Sequence, residues 1–515
     1  MYPGTYAASA PERPAVVVAE TGETLTYAEL DRESTRLARA LHDQGLRRGD
    51  VVAMLADNTP WAFVVYWAAQ RSGLYITAIN HHLSPDEAAY IVDDCGARVL
   101  VVAGQRRALR ELAVALVDRT PGVAHRISFD GALDGYDDGA ALLAATSAEP
   151  LSDQPRGADM LYSSGTTGRP KGIKPPLPDR QVDEPGDLML AVFGRLYGFD
   201  EDTVYLSPAP VYHAAPLRYC GMIQSTGGTV VLMQRFDPEG ALAAIAGHRV
   251  THGQFVPTMF VRLLKLPQET KDAYDVSSLR VVVHAAAPCP VDVKRAMIDW
   301  WGPVLQEYYA STEANGVTLI DSPTWLEHPG SVGRAALGVV HICDDDGHEV
   351  PTGDVGTVYF EREELPFAYH NDEAKTRAAQ HPDHPTWTTT GDLGRVDEEG
   401  FLYLTDRKSF MIISGGVNIY PQEIEDALAL HPAVLDVAVV GVPDEDMGES
   451  VLAVVSPEGE PSDDLAEELL AHLRARIAGY KVPKRLVFDD DLPRTPTGKL
   501  VKGQLRERYA AAGAA

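Results

Sequence analysis

The 515-residue chain is poor in cysteine and in positive charge. Its four cysteines, Cys95, Cys220, Cys289 and Cys343, lie far apart and form no C-x-x-C pair. The pattern therefore predicts neither a disulfide framework nor a zinc site. Lysine and arginine number 45 against 74 aspartates and glutamates, for a net charge of −29. Such an acidic surface argues against nucleic acid or an anionic membrane as a partner.

Long apolar runs are also missing. No run approaches the roughly 18 residues of a membrane span, and the N-terminus lacks the basic and apolar regions of a signal peptide. Apolar residues still make up 45% of the chain, which is enough for a buried core in two or three domains. We expect a cytoplasmic protein with no integral membrane segment and a small molecule as its substrate. A homodimer is left open.

The first part of the chain alternates helical and strand patterns. Thr26 and Glu29 form a capping box, and a helical repeat of leucines follows before the apolar run that begins at Val51. Such alternation predicts an α/β domain with largely parallel sheets.

The pattern changes near residue 405, where shorter strands and helices begin. We predict a helix from Pro421 to Leu430 and an amphipathic helix whose apolar face carries Leu465, Leu469, Leu473 and Ile477. The predicted fold is α/β, with a large N-terminal domain of stacked sheets and helices (1–408) and a small, mobile α+β C-terminal domain (409–515).

One glycine-rich segment, "LYSSGTTGRPKG" (161–172), has the composition of an anion-binding loop. It does not fit the Walker pattern, because Pro170 replaces the second glycine and Gly172 replaces the hydroxyl residue after Lys171. Its glycines, hydroxyls and lysine still suit phosphate, since they supply backbone N–H groups, hydroxyl donors and a positive charge. A flexible surface turn is the alternative for a generic run of this kind.

The same segment resembles the phosphate loop of AMP-forming acyl-CoA synthetases and related adenylation domains, luciferases and aryl-acid ligases. Four further segments resemble that superfamily's other motifs, in its order: "EYYASTE" (307–313), "TTGDLGRVDEEGFLYLTDR" (389–407), "ISGGVNIYPQEIE" (413–425) and "PRTPTGKLVK" (493–502). The resemblance covers essentially the whole chain. It implies that a carboxylate attacks the α-phosphate of ATP to give an acyl-adenylate, from which a thiol displaces AMP.

The resemblance also implies site residues, with ATP, Mg²⁺ and coenzyme A as ligands. The nucleotide-binding set is Ser163, Ser164, Gly165, Thr166, Thr167, Gly168 and Lys171 for the β- and γ-phosphates, Ala286, Ala287, Pro288, Glu307, Tyr308 and Tyr309 for the adenine, and Asp392 and Arg407 for the ribose. The catalytic set is Lys499, Thr312, Glu313 and His213. Glu313 would ligate Mg²⁺, and Gly415 and Gly416 would admit the pantetheine arm.

Two roles in this set rest on the resemblance alone. Lys499 would bridge the substrate carboxylate and the α-phosphate, although a lone lysine in an exposed loop is usually only solvated. His213 would gate the acyl pocket. A further pair in "HPDH", His381 and His384, suggests a metal site, but two prolines and the lack of further ligands favour a solvated loop.

The chain departs from the family pattern at three positions. Ala310 replaces the glycine of Y-G-x-T-E, Ser409 stands at the domain hinge, and Phe410 stands where an acidic residue is frequent. We expect a ligase for a medium or long, or bulky, aliphatic acid. An aryl-acid CoA ligase and an amide-forming ligase are the alternatives. A kinase would release ADP instead of AMP, and a regulator without catalysis would not need this full set of charged residues.

Overall fold

The computed structural model describes residues 2–163, 170–444, 446–494 and 500–510. The chain divides into two compact units. The first comprises Met1–Gln254, Glu269–Val282 and Phe367–Glu373, and the second comprises Phe255–Gln268, Val283–Pro366 and Ala374–Ala515. The boundary predicted between residues 408 and 409 lies inside the second unit and stays a prediction.

Helices and strands alternate through the first half of the chain, as the sequence predicts. In order they are α1 (Pro3–Ser9), β1 (Pro14–Val18), β2 (Thr24–Thr26), α2 (Tyr27–Asp43), β3 (Val51–Ala56), α3 (Pro60–Gln70), β4 (Tyr75–Ile79), α4 (Pro85–Asp94), β5 (Ala97–Ala103), α5 (Arg107–Arg119), β6 (His125–Phe129), β7 (Asp137–Asp138), α6 (Gly139–Ala145), β8 (Ala158–Asp159), β9 (Leu161–Ser163), β10 (Lys171–Ile173), a π-helix (Leu190–Gly194), α7 (Arg195–Tyr197), β11 (Val204–Ser207), α8 (Ala214–Thr226), β12 (Thr229–Leu232), α9 (Pro238–His248) and β13 (His252–Phe255).

Two mainly parallel sheets organise the first unit. One has the strand order β7-β6-β5-β3-β4-β8, and all of its pairs are parallel. Strands β3 and β4 are buried along their whole length, as expected where helices cover both faces of a parallel sheet. The other sheet orders its strands β13-β11-β12-β1-β2. Helix α2 begins at the predicted capping box of Thr26 and Glu29.

The rest of the chain continues with shorter elements. In order they are α10 (Pro257–Leu264), α11 (Gln268–Asp272), β14 (Val281–His284), α12 (Val291–Trp301), β15 (Leu305–Ala310), β16 (Val317–Asp321), α13 (Ser322–Glu327), β17 (Arg334–Leu337), β18 (Val339–Cys343), β19 (Gly356–Glu361), α14 (Glu373–Ala378), β20 (Trp387–Thr388), β21 (Asp392–Val396), β22 (Leu402–Arg407), β23 (Ile412–Ser414), β24 (Val417–Ile419), α15 (Pro421–Ala429), β25 (Val434–Asp444), β26 (Gly448–Pro457), α16 (Asp463–Arg474), a 3₁₀ helix (Gly479–Lys481), β27 (Arg485–Phe488) and α17 (Lys502–Ala510).

Three groups of strands position the site in the second unit. Strands β15, β16 and β17 pair antiparallel. A separate antiparallel sheet has the order β18-β19-β21-β22, with β20 beside β19. The last sheet, β24-β23-β26-β25 with β27 parallel to β26, has a core on each face. Helix α16 packs Leu469 and Leu473 into one of these cores, and α17 packs Leu505 into the other.

Two details differ from the sequence predictions. Helix α16 ends at Arg474, so Ile477 packs against the core from beyond the helix. The prediction of a solvated loop at "HPDH" is wrong for His381, which is buried with its Nε2 atom 2.7 Å from the carbonyl oxygen of Gly347. Within the described residues, no helix is both long enough and apolar enough to cross a membrane.

Candidate active site

The base of the glycine-rich segment is a pair of antiparallel strands in the first unit. Ser163 on β9 lies opposite Lys171 on β10. The ammonium of Lys171 lies 4.8 Å from the centre of the Tyr369 ring, a distance at which a cation is attracted to the aromatic face. The predicted phosphate-loop residues Ser164, Gly165, Thr166, Thr167 and Gly168 lie outside the described residues.

Asp392 is the best-defined polar group of the predicted site. It begins β21 and lies opposite Arg407 on β22. Its Oδ2 atom accepts hydrogen bonds from the hydroxyls of Tyr309, at 2.7 Å, and Thr390, at 2.9 Å, and its Oδ1 atom accepts one from Arg407 Nε at 3.2 Å. Burial and the neighbouring Asp392 carboxylate raise the pKa of Tyr309 well above its ordinary value, so Tyr309 remains a donor. These three donors fix the orientation of a half-buried carboxylate.

Thr312 and Glu313 occupy a turn directly after β15. Glu313 is buried, whereas Thr312 is half-buried. The turn is closed by the Ser311 hydroxyl, which donates to Asn315 Oδ1 at 2.7 Å, and Ala314 follows with a φ of +54°. A carboxylate next to a hydroxyl is a donor set that fits Mg²⁺, because this ion is often held by one or two carboxylates together with substrate phosphates.

The predicted adenine-binding segment follows β14. Ala286 and Pro288 are exposed and Ala287 is half-buried. Ala286 has a φ of +79°, a left-handed conformation that costs an alanine on the order of 1–2 kcal/mol. Backbone strain of this kind is concentrated at functional sites. Sequence reasoning did not anticipate it, because alanine carries no signal for positive φ.

Glu307 and Tyr308 precede Tyr309 on the same strand but differ from each other in surroundings. Tyr308 is half-buried. Glu307 is buried, and its Oε2 atom accepts a 2.5 Å hydrogen bond from Lys294 Nζ of helix α12. Burial raises the pKa of Glu307 in spite of this partner. The side chain of Glu307 thus ties β15 to α12.

Lys294 is a residue that sequence reasoning missed. Its ammonium lies 4.8 Å from the centre of the Trp325 ring, and its side chain is fully buried. The Nε2 atom of His284 lies 3.7 Å from Glu307 Oε2, too far for a hydrogen bond, and neither ring nitrogen of His284 has a partner within the described part of the chain. Burial lowers the pKa of His284 well below its ordinary value, so this ring is neutral at pH 7.

Gly415 and Gly416 form the exposed turn between β23 and β24. Their φ angles are +57° and +78°, and a Cβ atom on Gly415 would lie 2.4 Å from Met447 Cε. The left-handed φ angles favour glycine at both positions, and a side chain at 415 would also displace the end of Met447. Lys499, the predicted adenylation catalyst, lies outside the described residues.

His213 lies in the first unit, directly before helix α8. Its backbone is extended, and its ring centre lies 4.5 Å from that of Tyr212. Two neighbours of His213 on α8 have partners of their own. Arg218 Nε donates to Asp159 Oδ2 at 2.9 Å, and Tyr219 is buried among Tyr197, Phe199 and Tyr205.

Family models match most of the chain. The model described as "AMP-binding enzyme" matches residues 5–366, and the model described as "AMP-binding enzyme C-terminal domain" matches residues 423–499. The chain belongs to the AMP-binding enzyme family. The family, the enzyme class and the fold class inferred from the sequence are confirmed by these matches and by the similarity to solved structures of the family.

Similar proteins include ligases for different acids. The chain is 35% identical to a feruloyl-CoA synthase of Amycolatopsis sp over 504 residues, with 96% of each chain covered. It is 31% identical to the long-chain-fatty-acid–CoA ligase FadD13 of Mycobacterium tuberculosis over 506 residues, which cover 97% of this chain and 96% of the other.

Solved structures of the family extend the similarity to the whole fold. The anthranilate CoA ligase AuaEII in complex with anthranoyl-AMP has a TM-score of 0.83 at 26% identity, covering 100% of this chain and 98% of the other. The amide bond synthetase McbA of Marinactinospora thermotolerans has a TM-score of 0.78 at 28% identity, covering 99% of this chain and 100% of the other. The acceptor of the acyl group therefore differs among these similar proteins.

Proposed function

We propose that this protein is an ATP-dependent carboxylic acid–CoA ligase that forms an acyl-adenylate and then an acyl-CoA thioester. The observation that carries the proposal is the Asp392 carboxylate, oriented by Tyr309, Thr390 and Arg407. A carboxylate held in one orientation can accept from two neighbouring hydroxyls at once, which is the chemistry that binding a ribose requires. Arg407 adds a positive charge beside it.

The remaining nucleotide contacts are proposed from the resemblance of the motifs to those of adenylate-forming ligases. Thr312, on the turn after β15, would donate to the α-phosphate. Lys171 and the segment from Ser163 to Gly168 would hold the β- and γ-phosphates. Glu313 would hold Mg²⁺, which when bound neutralises phosphate charge. The Ala286–Pro288 segment and Tyr308 would flank the adenine, while Glu307 would hold strand β15 in place from its buried position.

Lys499 would supply the positive charge that adenylation needs where the carboxylate oxygen attacks the α-phosphate. This role predicts that Lys499→Ala abolishes adenylate formation and largely spares thiolysis of a supplied acyl-adenylate. Measuring the two half-reactions separately tests it. Equal loss of both would contradict the assignment.

The second half-reaction concerns the thiol. The exposed Gly415–Gly416 turn would allow the pantetheine arm of coenzyme A to approach closely, and His213 would gate the acyl pocket. The feruloyl-CoA synthase and FadD13, at 35% and 31% identity, both form CoA thioesters by name, which supports CoA as the acceptor. Amide formation is a second candidate because an amide bond synthetase has the same fold at 28% identity.

The substrate would be a carboxylic acid with a hydrophobic aliphatic or aromatic group. The sequence alone favours an aliphatic acid, and the similarity to FadD13 agrees with that preference. Similarity to a feruloyl-CoA synthase, at 35% identity, supports an aryl acid. We therefore propose a hydrophobic acid and would test aryl acids first. A cytoplasmic location and a homodimer stay predictions.

A panel of acids tests this proposal. The protein is incubated with ATP, Mg²⁺ and ferulate, 4-coumarate, hexanoate or palmitate, first with CoA and then with amines, and products are identified by mass. We expect pyrophosphate, AMP and an acyl-CoA with at least one acid. An amide in the amine series with no thioester would favour the second candidate.

A further inference from the structure

A second buried ion pair lies close in sequence to Lys499. Lys502 begins helix α17, and its ammonium lies 2.9 Å from Glu425 Oε1 on helix α15. The two side chains are only 5% and 7% exposed. Glu425 Oε1 also accepts a 2.7 Å hydrogen bond from the backbone N–H of Val439 on β25. Lys502 is therefore attached to helix α15 and, through Glu425, to strand β25 at one edge of the last sheet.

The same region fixes the chain on both sides of residues 495–499. Arg494 pairs with Leu500 in an antiparallel bridge, and the N–H of Val501 donates to the carbonyl oxygen of Pro493 at 2.8 Å. The guanidinium of Arg494 forms a two-bond contact with the Asp436 carboxylate on β25. The ends of this segment are thus attached to the sheet at two points, by Arg494 and by Lys502.

Phe410 connects this attachment to the predicted hinge. Its ring centre lies 5.2 Å from Lys502 Nζ, and the preceding residue is Ser409. The backbone N–H of Phe410 donates to the carbonyl oxygen of Arg407 at 2.9 Å. Lys502 therefore contacts the chain segment that follows the ribose-site arginine, as well as Glu425.

We propose that Lys502 is a positioning residue for adenylation, because its buried pair with Glu425 fixes the chain three residues after Lys499. This inference rests on the proposed role of Lys499. Lys502 is not proposed to touch the reacting groups. It determines where the segment that carries Lys499 rejoins the sheet, and an error of about 1 Å in the placement of a reacting group can cost on the order of 100-fold in rate.

The test separates positioning from stability with paired variants. Lys502→Met leaves Glu425 buried without its cation, so both Tm and function should fall. The double variant Glu425→Gln/Lys502→Met removes both charges, and the glutamine amide oxygen can still accept from Val439. Removing both partners of a buried pair is often nearly neutral for stability, so the double variant should recover most of the Tm.

Two half-reactions are then measured on the full chain. Adenylation is followed as ATP–pyrophosphate exchange with whichever of ferulate, 4-coumarate, hexanoate and palmitate gives the fastest exchange with the unmodified protein. Thiolysis is followed with CoA and the corresponding synthetic acyl-adenylate. We expect the double variant to lose about 10–100-fold in exchange and to keep thiolysis within about threefold. Lys502→Arg should retain exchange within about fivefold, since it keeps the charge pair.

The matched control is Lys484→Met, which removes a lysine paired with Asp444 at 3.0 Å on the exposed surface of the same domain. It should leave both half-reactions unchanged. Recovery of exchange together with Tm in the double variant would overturn the inference, and so would an equal loss of both half-reactions. Failure of the proposed function would look different: the unmodified protein would show no exchange with any acid, or Lys499→Ala would retain it.

Discussion

Two buried lysine–glutamate pairs in the second unit share their chemistry but differ in their surroundings. Glu307 has Lys294 at 2.5 Å and a neutral histidine, His284, at 3.7 Å. Glu425 has Lys502 at 2.9 Å and a backbone N–H donor at 2.7 Å. Each lysine also lies over an aromatic ring, Trp325 in one pair and Phe410 in the other.

The two pairs differ in how strongly the buried carboxylate depends on its lysine. Burial raises the pKa of both glutamates despite their lysines, so desolvation outweighs the stabilising contacts in each case. Glu425 keeps a backbone donor when its lysine is removed. Among the residues that the structure describes, Glu307 would retain only a neutral ring that is too distant to hydrogen-bond. Both pairs hold segments of the proposed site in place, but the Lys294 pair should be the less tolerant of substitution.

Lys294→Met should have the largest effect on stability. It leaves Glu307 buried without a cation, so we expect a loss of about 3–5 kcal/mol in the free energy of unfolding. Urea unfolding at pH 7.5 measures it. The double variant Lys294→Met/Glu307→Gln is the control and should recover most of the loss. A single variant as stable as the unmodified protein would contradict the view that Glu307 depends on Lys294.

Lys502→Met should cost less, about 2 kcal/mol, because Val439 still donates to Glu425. The same urea series measures this value beside that of Lys294→Met. The comparison between the pairs fails if the loss for Lys502→Met equals or exceeds the loss for Lys294→Met.

His284→Leu tests whether the neutral ring beside the Lys294–Glu307 pair makes folding stability depend on pH. The pKa of His284 is lowered in the folded state, so the unfolded chain binds a proton first as pH falls below about 6.5. The stability of the unmodified protein should therefore fall on the acid side. His284→Leu should remove about 1 kcal/mol of the loss between pH 7.5 and 5.5. Parallel stability curves for the two proteins would show that this ring does not titrate as proposed.

Asp426→Asn, next to the Lys502–Glu425 pair, should change the pH dependence of stability in the opposite direction. Burial raises the pKa of Asp426, next to Glu425, to about 7. The folded state then binds a proton that the unfolded chain does not bind until pH falls near 4, so the stability of the unmodified protein should rise as pH falls from 8 to 5. The variant should be about 2–3 kcal/mol more stable at pH 8 and nearly equal at pH 5. The asparagine oxygen can still accept the hydrogen bond from Gln422. A stability difference that is the same at both pH values would refute the prediction.

The sequence was most informative where local patterns determine structure. The capping box at Thr26 and the apolar faces of helices α2 and α16 were readable because helix periodicity and end signals are short-range. The motif order pointed to Asp392 and Arg407, and in the structure Arg407 donates a hydrogen bond to the Asp392 carboxylate.

The sequence was least informative where two distant segments meet. Lys294 and Lys502 each look like ordinary surface lysines on a helix, and only the fold buries them opposite a carboxylate. The left-handed conformation of Ala286 and the buried position of His381 are likewise set by tertiary packing. Glu307 was predicted beside the adenine from its neighbours in the motif, but its carboxylate pairs with Lys294 on helix α12.

Under the proposed function, the oriented carboxylate of Asp392 binds the ribose of ATP in an adenylate-forming CoA ligase. The most direct measurement is the product analysis of the unmodified protein and Asp392→Ala with ATP, CoA and the acid panel. We expect AMP and acyl-CoA in equal amounts from the unmodified protein, and at least 100-fold less of both from the variant. ADP as the nucleotide product, or a variant as active as the unmodified protein, would contradict it.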